Sequence, residues 1–136
     1  MRQINKIIVH CTATPEGRAH TVADVTGWHK ERGFNTIGYH WLIGINGELW
    51  KGRSEDVIGA HTVGANADSI GVSYVGGMTK DMKASKDTRT EAQKATLLKL
   101  LTDLKKTYPG AKIYGHRDFA KKDCPSFNAK KEYANL

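Results

Sequence analysis

Cysteine is scarce: Cys11 and Cys124 are the only two in 136 residues. That excludes a small fold stapled by several disulfides and leaves a single bridge, free thiols or a metal ligand as their uses. Long apolar runs are missing as well, since no window approaches the roughly 20 apolar residues that a membrane-spanning helix needs. The opening stretch Met1-Arg2-Gln3-Ile4-Asn5-Lys6-Ile7-Ile8-Val9-His10 has no extended apolar segment leading to a small-residue cleavage site, so it does not read as a secretory leader. The expectation is a chain made in the cytoplasm. Acidic residues are outnumbered, 14 against 21 lysines and arginines, for a net charge of +7. The basic excess is spread from Arg2 to Lys131 rather than gathered in a tail. It would attract nucleic acid, anionic lipid or acidic wall polymers without choosing among them. No internal repeat is evident and no nucleic-acid-binding motif accompanies the charge, so specific nucleic-acid binding is not expected.

What is present suits one domain over residues 1–136. The length is common for a single domain, and 39% hydrophobic residues supply one ordinary core. Residues 4–11 carry the β-branched run Ile7, Ile8, Val9, a buried strand that delivers His10 at its end. Glycine, proline and charged residues connect onward through Arg18. Thr21 followed by Asp24 offers an N-cap, and Val22, Val25 and Trp28 repeat at helical spacing, predicting a helix over 22–32 that Gly33 stops. Residues 39–45 are rich in strand formers, and Asn46-Gly47 is a strong hairpin signal returning through 48–51.

Residues 69–75 predict another strand, ended by Gly76-Gly77. Residues 80–89 are polar without apolar period and read as an exposed excursion. Thr90-Glu91-Ala92-Gln93 is a capping box. Leu97, Leu98, Leu100, Leu101 and Leu104 form a broad apolar stripe before Pro109-Gly110. Residues 111–115 form a short strand leading into His116, and a last helical turn is placed around 128–133. The order strand, helix, hairpin, strand, helix, strand describes an α/β fold with a central mixed β-sheet flanked by helices.

Six histidines are present, and most histidines serve packing or surface roles. His10 and His116 stand out because each ends an apolar strand, and such ends line ligand crevices in α/β sheets. Cys124 follows in a polar loop. Two imidazoles and one thiolate make a plausible catalytic zinc set with a fourth position open, although the spacing alone is looser than that of tight metal motifs and leaves packing roles open. Cys11, next to His10 on a strand, should face the other way and behave as a small core residue. His29 beside Trp28 reads as packed or hydrogen-bonded, and Trp41 and Trp50 as packing residues of the hairpin.

The stretches Ile8-Val9-His10-Cys11-Thr12-Ala13-Thr14, Trp28-His29-Lys30, Gly38-Tyr39-His40, Ile45-Asn46-Gly47, Gly59-Ala60-His61, the segment 66–72, Gly115-His116-Arg117 and Lys122-Asp123-Cys124-Pro125-Ser126-Phe127 resemble, jointly and in order, the N-acetylmuramoyl-L-alanine amidase type 2 family. The resemblance is to its phage endolysin branch, with relatives among peptidoglycan recognition proteins. It implies zinc bound by His10, His116 and Cys124 in a surface cleft, Tyr39 and Lys122 in the catalytic environment, and His61 at the substrate cleft.

The activity so implied is hydrolysis of the amide between N-acetylmuramic acid and L-alanine in peptidoglycan. The partners implied are peptidoglycan or muropeptides, met by a monomer that a separate membrane-permeabilising protein would release to the wall. Two alternatives stand beside it: a module that binds peptidoglycan without cutting it, for which loss of a zinc ligand would be the sign, and a cytoplasmic amidase that recycles soluble muropeptides.

Overall fold

The computed structural model describes residues 2–136. The β-branched run forms β1 (Lys6–Cys11), and β2 (Thr14–Pro15) follows at once. Helix α1 (Val22–Glu31) begins at Thr21, whose hydroxyl accepts from the Asp24 amide at 3.2 Å while the Asp24 carboxylate accepts from the Thr21 amide at 2.8 Å. Aspartate thus completes the reciprocal cap usually made by glutamate or glutamine. Gly33, at φ +93°, lies just beyond the helix end.

The hairpin is β3 (Trp41–Ile43) and β4 (Leu49–Lys51), shorter than the predicted 39–45 and 48–51. Beyond those bounds the pairing continues only as isolated backbone bonds, from the Arg53 amide to the Tyr39 carbonyl, from Gly52 to His40 and from Gly44 to Glu48, while the Asn46 amide turns onto the Glu48 carboxylate. Next come β5 (Ser69–Tyr74) and β6 (Gly77–Met78). Helix α2 (Glu91–Thr107) is capped by Thr90 and Gln93 as predicted. It is followed by β7 (Lys112–Gly115) and the short α3 (Ala129–Glu132).

The main sheet has the order β4-β3-β5-β1-β7. β1 runs parallel to both β5 and β7, β3 runs parallel to β5, and only the hairpin pair is antiparallel. Alternation along the strands assigns the faces. Ile7, Val9 and Cys11 pack with Ile43, Ile70, Val72, Tyr74 and the α2 leucines 97, 100, 101 and 104. On the opposite face Leu42 packs with Val25 of α1, Ile37 and Val75. Leu98 is 48% exposed, so the α2 stripe is narrower than its leucines suggest. β2 and β6 form a second, two-stranded parallel sheet that the sequence pattern did not announce.

The polar excursion is exposed only as far as Asp87; Thr88 and Arg89 are buried. Arg89 donates to Asp87, Glu132 and the Tyr133 hydroxyl and stands 3.4 Å above the Phe127 ring centroid. Charge could be buried there because every guanidinium nitrogen finds an oxygen. Among the described residues no helix is long and apolar enough to cross a membrane.

Candidate metal centre

The parallel strands β1 and β7 end side by side, which brings the ends that carry His10 and His116 together. His10 is the fifth residue of β1, 1% exposed, on the face opposite Val9 and Cys11. His116 opens a single 3-10 turn, His116–Asp118, whose Asp118 carboxylate accepts from the Gly115 amide at 2.8 Å.

Cys124 returns to this point because its loop is closed by backbone: the Arg117 amide donates to the Cys124 carbonyl at 2.8 Å, and the Arg117 guanidinium donates to the Asp123 carbonyl at 2.8 Å. Beyond the cysteine, the Tyr74 hydroxyl donates to the Pro125 carbonyl and Ser126 Oγ to the Gly77 carbonyl, fixing the loop to β5 and β6. A sequence spacing too loose to identify a motif therefore folds into an excursion closed by hydrogen bonds at both ends.

His10, His116 and Cys124 each offer one ligand atom, and the three atoms lie within 4.8 Å of one another. The His10 and His116 ring centroids are 4.6 Å apart, and Cys124 Sγ lies 3.8 Å from His10 Nδ1. Burial first, then the His61 and His116 rings and the Lys122 ammonium, hold His10 well below the ordinary imidazole range. Burial and Lys122 lower His116 as well. Both rings are therefore neutral near pH 7, with lone pairs available for coordination. The Cys11 and Cys124 thiols adjoin; without a metal, the hydrogen bond between them lowers Cys11 to about 7 and, with burial, pushes Cys124 up, so it is a bound cation that would hold Cys124 as a thiolate. The Cys11 amide also points at Cys124 Sγ, a contact that favours charge on that sulfur. A soft thiolate with two neutral imidazoles is a donor set suited to zinc, and three protein ligands leave a tetrahedral ion one open position.

These residues line a cavity of about 420 Å³ whose wall also includes Tyr39, His61, Thr62, Arg32 and Lys122. Tyr39 packs 5.2 Å from the His10 ring, and burial, then the Cys124 thiol, push its phenol far above the usual range, so it remains a proton donor. Lys122 is exposed on the loop between His116 and Cys124. His61 lines the cavity too, although its ring nitrogens face protein: Nδ1 lies 2.9 Å from His10 Nε2 and Nε2 lies 3.3 Å from Ser69 Oγ. All six residues expected from the sequence are thus brought to one cavity. Cys11 joins the α2-side core as expected, and the residue also lines the cavity.

Some supports were not legible beforehand. His29 Nδ1 accepts from the Gly38 amide at 2.7 Å and its ring packs 5.2 Å from Tyr39, so the packed histidine of α1 orients the tyrosine. His40 Nδ1 accepts from the Gly71 amide at 3.0 Å, and Asn66 Oδ1 accepts from the amides of His61 and Thr62. His29 reads from sequence only as packed or hydrogen-bonded, with nothing to name Gly38 and Tyr39 as its partners. His40 and Asn66 are single polar residues in a bend and a short 3-10 turn, with no periodicity to mark them.

Comparison with known proteins agrees with this arrangement. The chain is 40% identical over 131 residues to the endolysin of Klebsiella phage KP32, covering 96% of this chain and 85% of that protein. It is 41% identical over 126 residues to the endolysin of Escherichia phage T7, covering 92% and 82%. Among solved structures it is similar to the N-acetylmuramoyl-L-alanine amidase LysC from Clostridium intestinale, with a TM-score of 0.81 and 28% identity over 96% of this chain and 82% of that one. Residues 1–127 match the N-acetylmuramoyl-L-alanine amidase (Amidase_2) family, and the chain belongs to it.

Proposed function

We propose that this protein is a zinc-dependent N-acetylmuramoyl-L-alanine amidase of endolysin type, acting as one domain over residues 1–136. It cuts the amide between the lactyl group of N-acetylmuramic acid and L-alanine in peptidoglycan. The observation that carries the reading is the convergence of His10, His116 and Cys124, with ligand atoms within 4.8 Å, on a cavity that Tyr39 and Lys122 also line. Similarity to phage endolysins along nearly the whole chain supports the substrate and a role in lysis. In this reading a separate permeabilising protein would give the enzyme access to the wall.

His10, His116 and Cys124 would hold the ion in the cleft. Bound zinc supplies a Lewis acid and lowers the pKa of water, which amide hydrolysis near neutral pH requires. The chain's own residues do the rest. Attack on the amide develops negative charge on the carbonyl oxygen, which needs donors aimed at it. Tyr39 keeps its proton, so its hydroxyl donates there or orients the attacking water. Lys122 brings a compact cation to the same cavity, stabilising the developing charge. The basic surface concentrates the enzyme on acidic wall polymers.

Purified protein incubated with intact sacculi and with soluble muropeptides, with and without a chelator, tests this reading by mass analysis of the products. Free stem peptides and intact glycan strands are expected, with cleavage abolished by the chelator and restored by zinc. New reducing sugars, or cleavage indifferent to the chelator, would remove it.

A further inference from the structure

We propose that His61 is a positioning residue for the metal centre: its Nδ1 accepts the Nε2 proton of His10 and so reserves Nδ1 of His10 for coordination. This rests on the metal reading of His10 given above. The two nitrogens of His10 face different surroundings. Nδ1 looks toward Cys124 Sγ at 3.8 Å, whereas Nε2 is 2.9 Å from His61 Nδ1 and 3.2 Å from Thr62 Oγ1. A neutral imidazole has one N–H and one lone pair, so coordination through Nδ1 places the proton on Nε2, and a buried N–H needs an acceptor. His61 can accept only if its own proton is on Nε2, where Ser69 Oγ stands 3.3 Å away to receive it. The series His10, His61, Ser69 therefore has one self-consistent proton assignment.

The fold around His61 is built to hold that ring. A Cβ on Gly71 of β5 would lie 2.6 Å from His61 Cγ and Cδ2, and one on Gly59 would lie 2.6 Å from Cδ2, so both positions must lack a side chain. Asn66 Oδ1 braces the backbone by accepting from the His61 and Thr62 amides at 3.0 and 2.9 Å. Thr62 Oγ1, 3.2 Å from His10 Nε2, offers the same proton a second acceptor and, 3.0 Å from His61 Nδ1, can pass its own hydroxyl proton on to that nitrogen. With both ring nitrogens facing protein, His61 acts through His10, in the way outer partners orient metal-binding histidines.

The test begins with the unmutated protein loaded with Zn²⁺, its histidine nitrogens read by 15N NMR. His10 should be metallated at Nδ1 and protonated at Nε2, with a slowly exchanging proton. Metallation at Nε2 would overturn the inference while leaving the zinc site intact; a chain that takes up no zinc would end the metal reading and this inference together. Zinc affinity by competition with a chromophoric chelator gives the second readout. His61→Phe fills the cradle without an acceptor and should weaken binding about tenfold or more, whereas His61→Asn, whose Oδ1 replaces Nδ1, should stay within about threefold. Equal affinities in all three proteins would overturn the assignment.

Discussion

The amide of Cys11 donates to Cys124 Sγ at 3.2 Å, so two cysteines 113 positions apart meet at the end of β1 with unequal roles. Cys124 offers its sulfur to the cluster, whereas Cys11 is 5% exposed and packs with the α2 leucines. The support that Cys11 gives Cys124 comes largely from its backbone, which a side-chain substitution leaves in place. Cys124→Ser should therefore lose most bound zinc, and Cys11→Ala should keep it at a stability cost of about 1 kcal/mol. Metal content after gel filtration and a urea titration decide this, and equal zinc loss in both would refute the division.

Tyr39 and Lys122 sit in the cavity wall without belonging to the ligand cluster. If their work is on the developing oxyanion, Tyr39→Phe and Lys122→Ala should retain zinc and lower kcat by about 10²- to 10³-fold, the usual effect of removing one such donor. KM on soluble muropeptides should change much less. A variant that lost activity only in proportion to its zinc would instead mark a residue that supports the ligands.

How much of this could be read beforehand follows from the range of each interaction. β1, both main helices and their caps rest on local chemistry: Ile7-Ile8-Val9, Thr21 with Asp24, and Thr90 with Gln93 act within a few residues, and all are found. From sequence Arg89 reads as part of an exposed loop, because its partner Glu132 lies 43 positions away, beyond any local pattern. The pairing of β2 with β6 joins two-residue strands with no recognisable period. His10 and His116 were visible as strand-end histidines, but the closure that returns Cys124 to them depends on the backbone bond from Arg117. The spacing left Cys124 one candidate among packing roles, and the resemblance made it the expected third ligand. The inward turn of His61 depends on Gly59 and Gly71, glycines whose purpose shows only when the ring is seen against them.

Acid should destabilise the protein well before its carboxylates titrate. His29, His40 and His61 are all held below 6.5, burial being the first cause in each, with His61 down to about 3. Unfolding restores their ordinary values, so below about pH 6.5 the unfolded chain binds more protons than the folded one. Their contribution is complete above that value and is lost as pH falls through it toward the folded values, at up to about 1.4 kcal/mol per pH unit for each site. For His61 the loss continues to about pH 3. Urea midpoints between pH 8 and pH 4, with chelator present to keep metal release out of the measurement, should fall steadily below pH 6.5. A flat profile across pH 6.5 to 4.5 would show that these rings are not buried in neutral form.

Gly38 positions Tyr39 by close approach rather than by unusual dihedrals: a Cβ there would lie 2.2 Å from the Ala60 carbonyl oxygen, which accepts no displacement without moving the segment that carries His61. Its amide is simultaneously held by His29 Nδ1 at 2.7 Å. Gly38→Ala should cost about 2 kcal/mol or more in a urea titration, as overpacking against backbone does, and should lower kcat beyond any loss of zinc. Wild-type stability would mean that the 38–60 contact is loose.

Arg89 ties the excursion to α3 at a distance from the ligand cluster. Its side chain is 2% exposed, against 34% for Asp87 and 45% for Glu132, so the cation is the buried member and the carboxylates can return to water when it is removed. Arg89→Met keeps an apolar stem but removes the guanidinium that stands over Phe127 together with its five donors, and should cost about 3 kcal/mol, the low end for breaking a buried pair. Glu132→Gln should cost about 1 kcal/mol or less, because Asp87 still pairs with Arg89 and the lost charge was partly in water. Zinc affinity should hold in both, since Cys124 is fixed by the Arg117 and Cys11 amides and the following residue by Tyr74. Loss of zinc in folded Arg89→Met would show instead that Phe127 transmits strain back to Cys124, and would couple the α3 latch to the site.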